Sequence, residues 1–364
     1  MSSVPLISNN SGFISIKAQR IAAYVLTIIF GFLCFSHFKN ESGVAATTSV
    51  STLSDISDAL DRPIIGILSL SISDEFRLEH NVTIPVESRG VIPSSYVKWL
   101  QSAGAQVVVI PHFWEIERIE ELVAKLSGVL FTGGDFGDKD WNTTTTLIFN
   151  EAVKRNGTDH ELVLWGTCLG FERILQIATR DEINTVVEAP LIDASLPVRW
   201  LDISSSRFLN YMGADSLSVF STHSIAYNFH NYGVTPSSWK FHADTLSSMF
   251  EIVGTFAYGK TGDEWNFVAM IEGKSGFPVF GIQFHPEKAL FEWSPNLHYP
   301  HSELGVVHNR KIADFFVSQV RKQKARFIDF QDESKYAIYK YQTLFTGIDT
   351  HNGPIFTETY IIDK

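Results

Sequence analysis

Cys168 stands in the frame Gly166-Thr167-Cys168-Leu169-Gly170, inside the run LVLWGTCLGFERILQ, where a strand-like stretch gives way to a helix-like one. A cysteine at such a turn can serve as a nucleophile. Flanking glycines let the turn be sharp, which lifts the side chain clear of a sheet and sets it at a helix N-terminus. There the helix dipole and a nearby histidine favour the thiolate, the species that attacks a carbonyl. A lone cysteine in an apolar stretch is otherwise a small buried residue without chemistry. The strand, glycine and helix context sets Cys168 apart from that case.

A nucleophile of this kind needs a base, and the base needs a partner to orient it. The strand-like run VFGIQF leads into His285-Pro286-Glu287. Placement at a strand end brings His285 to the same rim as Cys168. The proline keeps the chain extended after the histidine, and Glu287 can fold back to hold the imidazole in the useful tautomer. His-Pro-Glu alone reads equally as a turn; beside the cysteine elbow it reads as a base and its partner. A third strand ends in Phe131-Thr132-Gly133-Gly134-Asp135. Gly133 and Gly134 can turn a backbone N–H toward a reacting carbonyl, joining the N–H of Leu169 as an oxyanion hole.

These motifs need a scaffold that presents three strand ends together. Short apolar, β-branched runs at 64–70, 106–110, 128–132 and 162–166 predict buried strands. Helix-like stretches at 94–103, 115–126 and 145–154 lie between them. The alternation predicts a parallel sheet covered on both faces, with ligands at the C-terminal strand ends. Further strands are expected at 250–258, 265–272 and 279–284, spaced like an antiparallel meander, and a late helix at 302–326.

The chain has 364 residues, 45% of them hydrophobic, with 29 basic against 40 acidic side chains and only two cysteines. That length and apolar content exclude a disordered chain, and two cysteines cannot staple it as a disulfide scaffold. A net charge of −11 lacks the basic field that nucleic-acid binding requires. No metal or cofactor is expected. Residues 1–20 form a polar leader, and 21–38 contain the uncharged run IAAYVLTIIFGFLCF, which holds Cys34. Residues 39–61 form a Ser/Thr-rich linker, and the folded domain is expected at 62–364. The apolar run is intermediate between a signal-peptide core and a membrane span, so it is expected to direct the chain to the secretory pathway, anchored in the membrane if uncleaved. Asn81, Asn142 and Asn156 then head glycosylation sequons on lumenal loops.

The Gly-Gly loop, the Gly-Thr-Cys-Leu-Gly elbow and the late His-Pro-Glu resemble the class I glutamine amidotransferase-like superfamily. Within it the chain is most similar to the γ-glutamyl hydrolases. RPIIGIL (62–68), SYVKWLQSAGAQVV (95–108), VLFTGGD (129–135), LWGTCLGFE (164–172), YNFH (227–230) and GIQFHPEKALFEW (281–293) carry the likeness, and the stretch 339–363 extends it. The resemblance implies a doubly wound, mostly parallel α/β sheet flanked by helices, with a C-terminal β-rich extension. It implies a Cys-His-Glu triad that cleaves γ-glutamyl amide bonds of folylpoly-γ-glutamates through a thioester. It also implies an additional catalytic histidine at His230, a homodimer, and a lysosome-like, vacuolar or extracellular location. From the residues alone, His230 is indistinguishable from His223 or His242. A glutaminase-type enzyme or a hydrolase of small γ-glutamyl compounds is the alternative. A tethered binding protein that has lost its chemistry would carry a broken triad, and here all three residues are present. A polyglutamate substrate is anionic, so an acidic compartment near the pI of about 5.5 suits this acidic chain.

Overall fold

Each of the apolar runs becomes a strand because it is buried on both faces, and the faces can be told apart by alternation along the chain. A computed structural model describes residues 62–79, 84–85, 87–135, 137–259, 264–347 and 356–363. The expected leader, apolar segment and linker lie outside the described residues, as does Asn81. Among the described residues no helix is long and apolar enough to cross a membrane.

The first half runs β1 (Ile64–Leu68), β2 (Leu70–Ser71), β3 (Gly90–Pro93), α1 (Ser94–Ser102), β4 (Gln106–Ile110), α2 (Ile116–Val123), β5 (Gly128–Phe131), α3 (Lys139–Arg155), β6 (Val163–Thr167) and α4 (Leu169–Ala178). The second half contains β7 (Val187–Leu196), β8 (Arg199–Trp200), α5 (Arg207–Thr222), β9 (Ala226–Gly233), β10 (Phe250–Phe256), β11 (Phe267–Gly273), β12 (Val279–Ile282), α6 (Lys288–Phe291), α7 (Glu303–Arg321), β13 (Thr343–Phe345) and β14 (Glu358–Ile362). The main sheet has the order β4-β1-β5-β6-β12-β11-β10-β8. Its first five strands are parallel, and β11, β10 and β8 continue it antiparallel. This is the mixed sheet flanked by helices that the strand and helix rhythm predicts.

Odd and even positions of the parallel strands feed two cores. Ile65, Ile67, Val107, Val109, Leu130, Trp165, Phe280 and Ile282 pack with Trp99 and Leu100 of α1 and Phe315 and Phe316 of α7. Val108, Ile110, Val129, Phe131, Leu164 and Val279 face the other way, onto Ile119, Ile148, Phe149, Phe171 and Ile174. Burying both faces is what a parallel sheet requires. Trp165 anchors the first core, with its ring centroid 5.4 Å from that of Phe316 and 6.0 Å from that of Trp99.

Three departures from the sequence reading have physical causes. Helix α3 begins at Lys139, six residues before the expected start, because the Asp138 carboxylate caps it by accepting the Trp141 N–H at 2.8 Å. The C-terminal strands are not an appendage: β14 pairs with β3, giving a second sheet of order β13-β14-β3-β2. A two-stranded ribbon, β7 with β9, and helix α5 were absent from the reading, since their polar and apolar residues follow neither a clean period of two nor one of 3.6.

Candidate active site

The site lies where β5, β6 and β12 end. Thr167 and Ile282 are paired in parallel register, so the residues after each emerge side by side. The Cys168 N–H donates to the Ile282 carbonyl at 2.8 Å, closing the end of the ladder. Cys168 itself adopts φ 50° and ψ −111°, a left-handed backbone in a residue other than glycine, and it is the N-cap of α4. Strain of this kind persists only where the surroundings impose it. The flanking glycines serve a different purpose from the one expected. Neither has positive φ; instead a Cβ on Gly170 would lie 2.3 Å from the Phe131 carbonyl oxygen, and one on Gly166 would lie 2.6 Å from the Gly170 backbone. They permit close approach of α4 to the strand ends, and the cysteine carries the turn.

His285 Nδ1 lies 2.8 Å from Glu287 Oε1, and the Glu287 side chain is fully buried. Nδ1–H donation to this carboxylate leaves Nε2 as the nitrogen able to take a proton, and Nε2 is buried with no hydrogen-bond partner among the described residues. Pro286 and Glu287 form a turn into α6 rather than an extended segment, which is how a carboxylate two residues on reaches the ring. Gly133 sits between the groups: a Cβ there would fall 2.7 Å from His285 Cε1 and 3.1 Å from Cys168 Cβ. His285 and Cys168 therefore flank a single glycine.

The Gly133 N–H donates to the Tyr96 hydroxyl at 2.9 Å, so this amide is occupied in the free site. The Leu169 N–H reaches the Cys168 thiol. Gly134 packs against Leu70, where a Cβ would meet the Leu70 side chain at 2.6 Å. Tyr96 is the residue the sequence reading missed. Its signal was available only in hindsight, as the third residue of a helix that follows a strand directly.

His230 lies on β9, opposite Leu191, with register irregularities on either side of that pair. It is 5% exposed, and by hydrogen-bond geometry neither ring nitrogen has a partner among the described residues. Burial, then the neighbouring His285, push its pKa down to about 4, which leaves the imidazole neutral. The ribbon also holds His285, whose backbone N–H donates to the Tyr227 carbonyl at 2.8 Å. His223, by contrast, is exposed at the end of α5, and the buried His242 contacts Thr185 and the Ile183 carbonyl.

The expectation of a favoured thiolate is reversed in the resting site. Burial pushes the Cys168 thiol well up, and the carboxylates of Glu172, Glu287 and Asp135 push the same way, against the lowering by the Leu169 N–H. The balance favours the thiol over the thiolate at Cys168. Glu172, one turn into α4, is itself buried, which raises its carboxyl to about 7 although it accepts a hydrogen bond from Gln283 Nε2 at 2.9 Å. Of the sequons, Asn142 is exposed within the first turn of α3 rather than in a loop, and Asn156 is exposed just beyond its end. Among the described residues no cluster of side chains suits a metal ion.

The family profile of peptidase C26 matches residues 63–287. The γ-glutamyl hydrolase of Bos taurus is 30% identical over 304 residues, covering 83% of this chain and 90% of that protein. The Homo sapiens γ-glutamyl hydrolase is 28% identical, covering 84% and 91%, and γ-glutamyl hydrolase 1 of Arabidopsis thaliana is 28% identical, covering 89% and 90%. With a free, buried cysteine at a strained strand-to-helix turn and a histidine and glutamate paired beside it, the chain belongs to the peptidase C26 family of cysteine peptidases.

Proposed function

We propose that this chain is a γ-glutamyl hydrolase that cleaves the γ-amide bonds of pteroylpoly-γ-glutamates, with Cys168, His285 and Glu287 as its catalytic triad. The observation that carries the reading is the placement of Cys168 and His285 about one glycine, with Glu287 bound to the far nitrogen of the ring. As Cys168 Sγ attacks the γ-carbonyl carbon, its proton passes to His285 Nε2 and charge develops on the carbonyl oxygen. The Leu169 N–H at the start of α4 stabilises that oxyanion. Gly133 and Gly134 line the same position, and Gly133 can contribute its N–H only by exchanging its bond with Tyr96 for one to substrate. The departing amine takes the proton from His285, leaving a γ-glutamyl thioester. Water then gives a proton to His285, attacks the thioester and releases the acid, and Sγ leaves with the proton returned. Neutral His230 supplies a hydrogen bond to the substrate or to the developing charge.

The resting thiol and the high carboxyl of Glu172 suit work in an acidic lumen. At low pH Glu172 is neutral and removes a negative charge that opposes ionisation of Cys168. Delivery there is the part assigned to residues 21–38, with Asn142 and Asn156 open to glycosylation.

The test is a product analysis with the purified chain, offering a pteroyl-penta-γ-glutamate beside free glutamine. The expected result is shortened pteroyl chains with released glutamate or γ-linked oligomers. Rapid glutamine hydrolysis with the pteroyl compound untouched would overturn the substrate assignment.

A further inference from the structure

The hydroxyl of Tyr96 enters the hydrolytic sequence above only as the resting partner of the Gly133 amide. The side chain is fully buried in the first turn of α1, and its Oη meets two separate segments of the site, the Gly-Gly loop and the His-Pro-Glu turn. It accepts the Gly133 N–H at 2.9 Å and lies 3.2 Å from His285 Nδ1, the nitrogen paired with Glu287.

A count of protons fixes the direction of these bonds. His285 Nδ1–H is committed to Glu287 Oε1 at 2.8 Å, because Nε2 must stay free for the thiol proton. Oη accepts from Gly133 and stands as a second, longer acceptor beside the same Nδ1–H, with one proton of its own. Burial, then the neighbouring Glu287 and Cys168, push the Tyr96 pKa well up, so the phenol keeps this proton wherever the enzyme works. The fit leaves no slack, since a Cβ on Gly133 would lie 2.6 Å from Oη.

We propose that Tyr96 is a positioning residue for the hydrolysis: its hydroxyl ties the Gly133 amide to His285 Nδ1 and so holds the Gly-Gly loop and the imidazole paired with Glu287 in one register. The proposal rests on the triad reading above. Its consequence is that the loop beside the nucleophile and the base move together or not at all.

The experiment compares the full chain with its Tyr96→Phe variant, which keeps the ring and removes only the hydroxyl. Turnover of a pteroyl-oligo-γ-glutamate is expected to fall roughly 10- to 100-fold in kcat with KM changed less than about threefold, as for partners that orient a working group. The rate of Cys168 alkylation by iodoacetamide, read by mass spectrometry, is expected to fall about tenfold, with the pH at half-maximal rate displaced, because a loosened His285 accepts the thiol proton less well. This readout needs no substrate, so it separates failure of this proposal from a wrong substrate assignment. In that second case the wild-type chain leaves the pteroyl compound untouched while the alkylation difference persists. A second comparison sets Tyr96→Phe/Glu287→Gln against Glu287→Gln alone. Equal rates are expected if Tyr96 acts through the His285–Glu287 pair, and additive losses would overturn the proposal. So would an alkylation pH profile identical to the wild type, or losses that merely follow the fraction of folded protein.

Discussion

The rim of the parallel sheet and the antiparallel ribbon each bring a buried histidine to one place, and they do so by different means. His285 follows β12, whose pairing with β6 sets it beside Cys168, so strand register alone converts two distant motifs into neighbours. His230 arrives on β9, where the ladder to β7 slips on both sides of its partner Leu191. Irregularities of this kind re-aim a side chain. They also hide it, since no short motif announces a slipped register. A parallel rim therefore writes its chemistry into local sequence, whereas a bent ribbon writes it into pairing.

That contrast can be tested by unequal losses. Removing the rim nucleophile with Cys168→Ala is expected to lower kcat by at least about four orders of magnitude while leaving the thermal midpoint and circular dichroism close to those of the wild type. Residual turnover within a hundredfold of the wild type would place the nucleophile elsewhere. Next in size is a pH effect at the rim. The Glu172 carboxyl is raised from 4.5 to about 7 in the folded chain, so the native state holds that proton more tightly than the unfolded one. Its stability is fully present below about pH 4.5 and is lost as pH rises through 7, by roughly 3 kcal/mol in all. Urea unfolding at pH 4.5 and 8 measures this, and Glu172→Gln should flatten the slope between them.

The ribbon's turn comes third. His230→Ala is expected to cost about 100-fold in kcat, the low end for a residue that assists proton or charge movement. A loss equal to that of His285→Ala would erase the distinction between rim and ribbon. Smallest is the ion pair between α1 and the strand beside it, Lys98 Nζ to Glu358 Oε2 at 2.6 Å, with side chains 42% and 31% exposed. Lys98→Met should change stability by less than about 0.5 kcal/mol in chemical denaturation.

What the sequence disclosed follows the same division. Strands at 106–110 and 128–131 and the elbow at Cys168 were legible because a buried parallel strand is a short apolar run with a turn at its end. The pairing of Glu287 with His285 was legible because the two lie two residues apart. His230 was singled out only through the resemblance, and Tyr96 not at all, because its partners Gly133 and His285 lie on segments that only the folded sheet brings to it. The protonation of Cys168 was misjudged for a related reason. A helix N-terminus is visible in sequence, whereas the burial and the carboxylates that outweigh it are properties of packing.

Strand β14 pairs with β3, which leads without a break into the helix that bears Tyr96. The same segment reaches the far side of the base: the Thr357 N–H donates to Glu292, and Thr357 Oγ1 accepts the Trp293 N–H at 2.9 Å. One short stretch thus braces both the helix that bears Tyr96 and the segment beyond Glu287, so removing residues 356–362 would take the support from both at once.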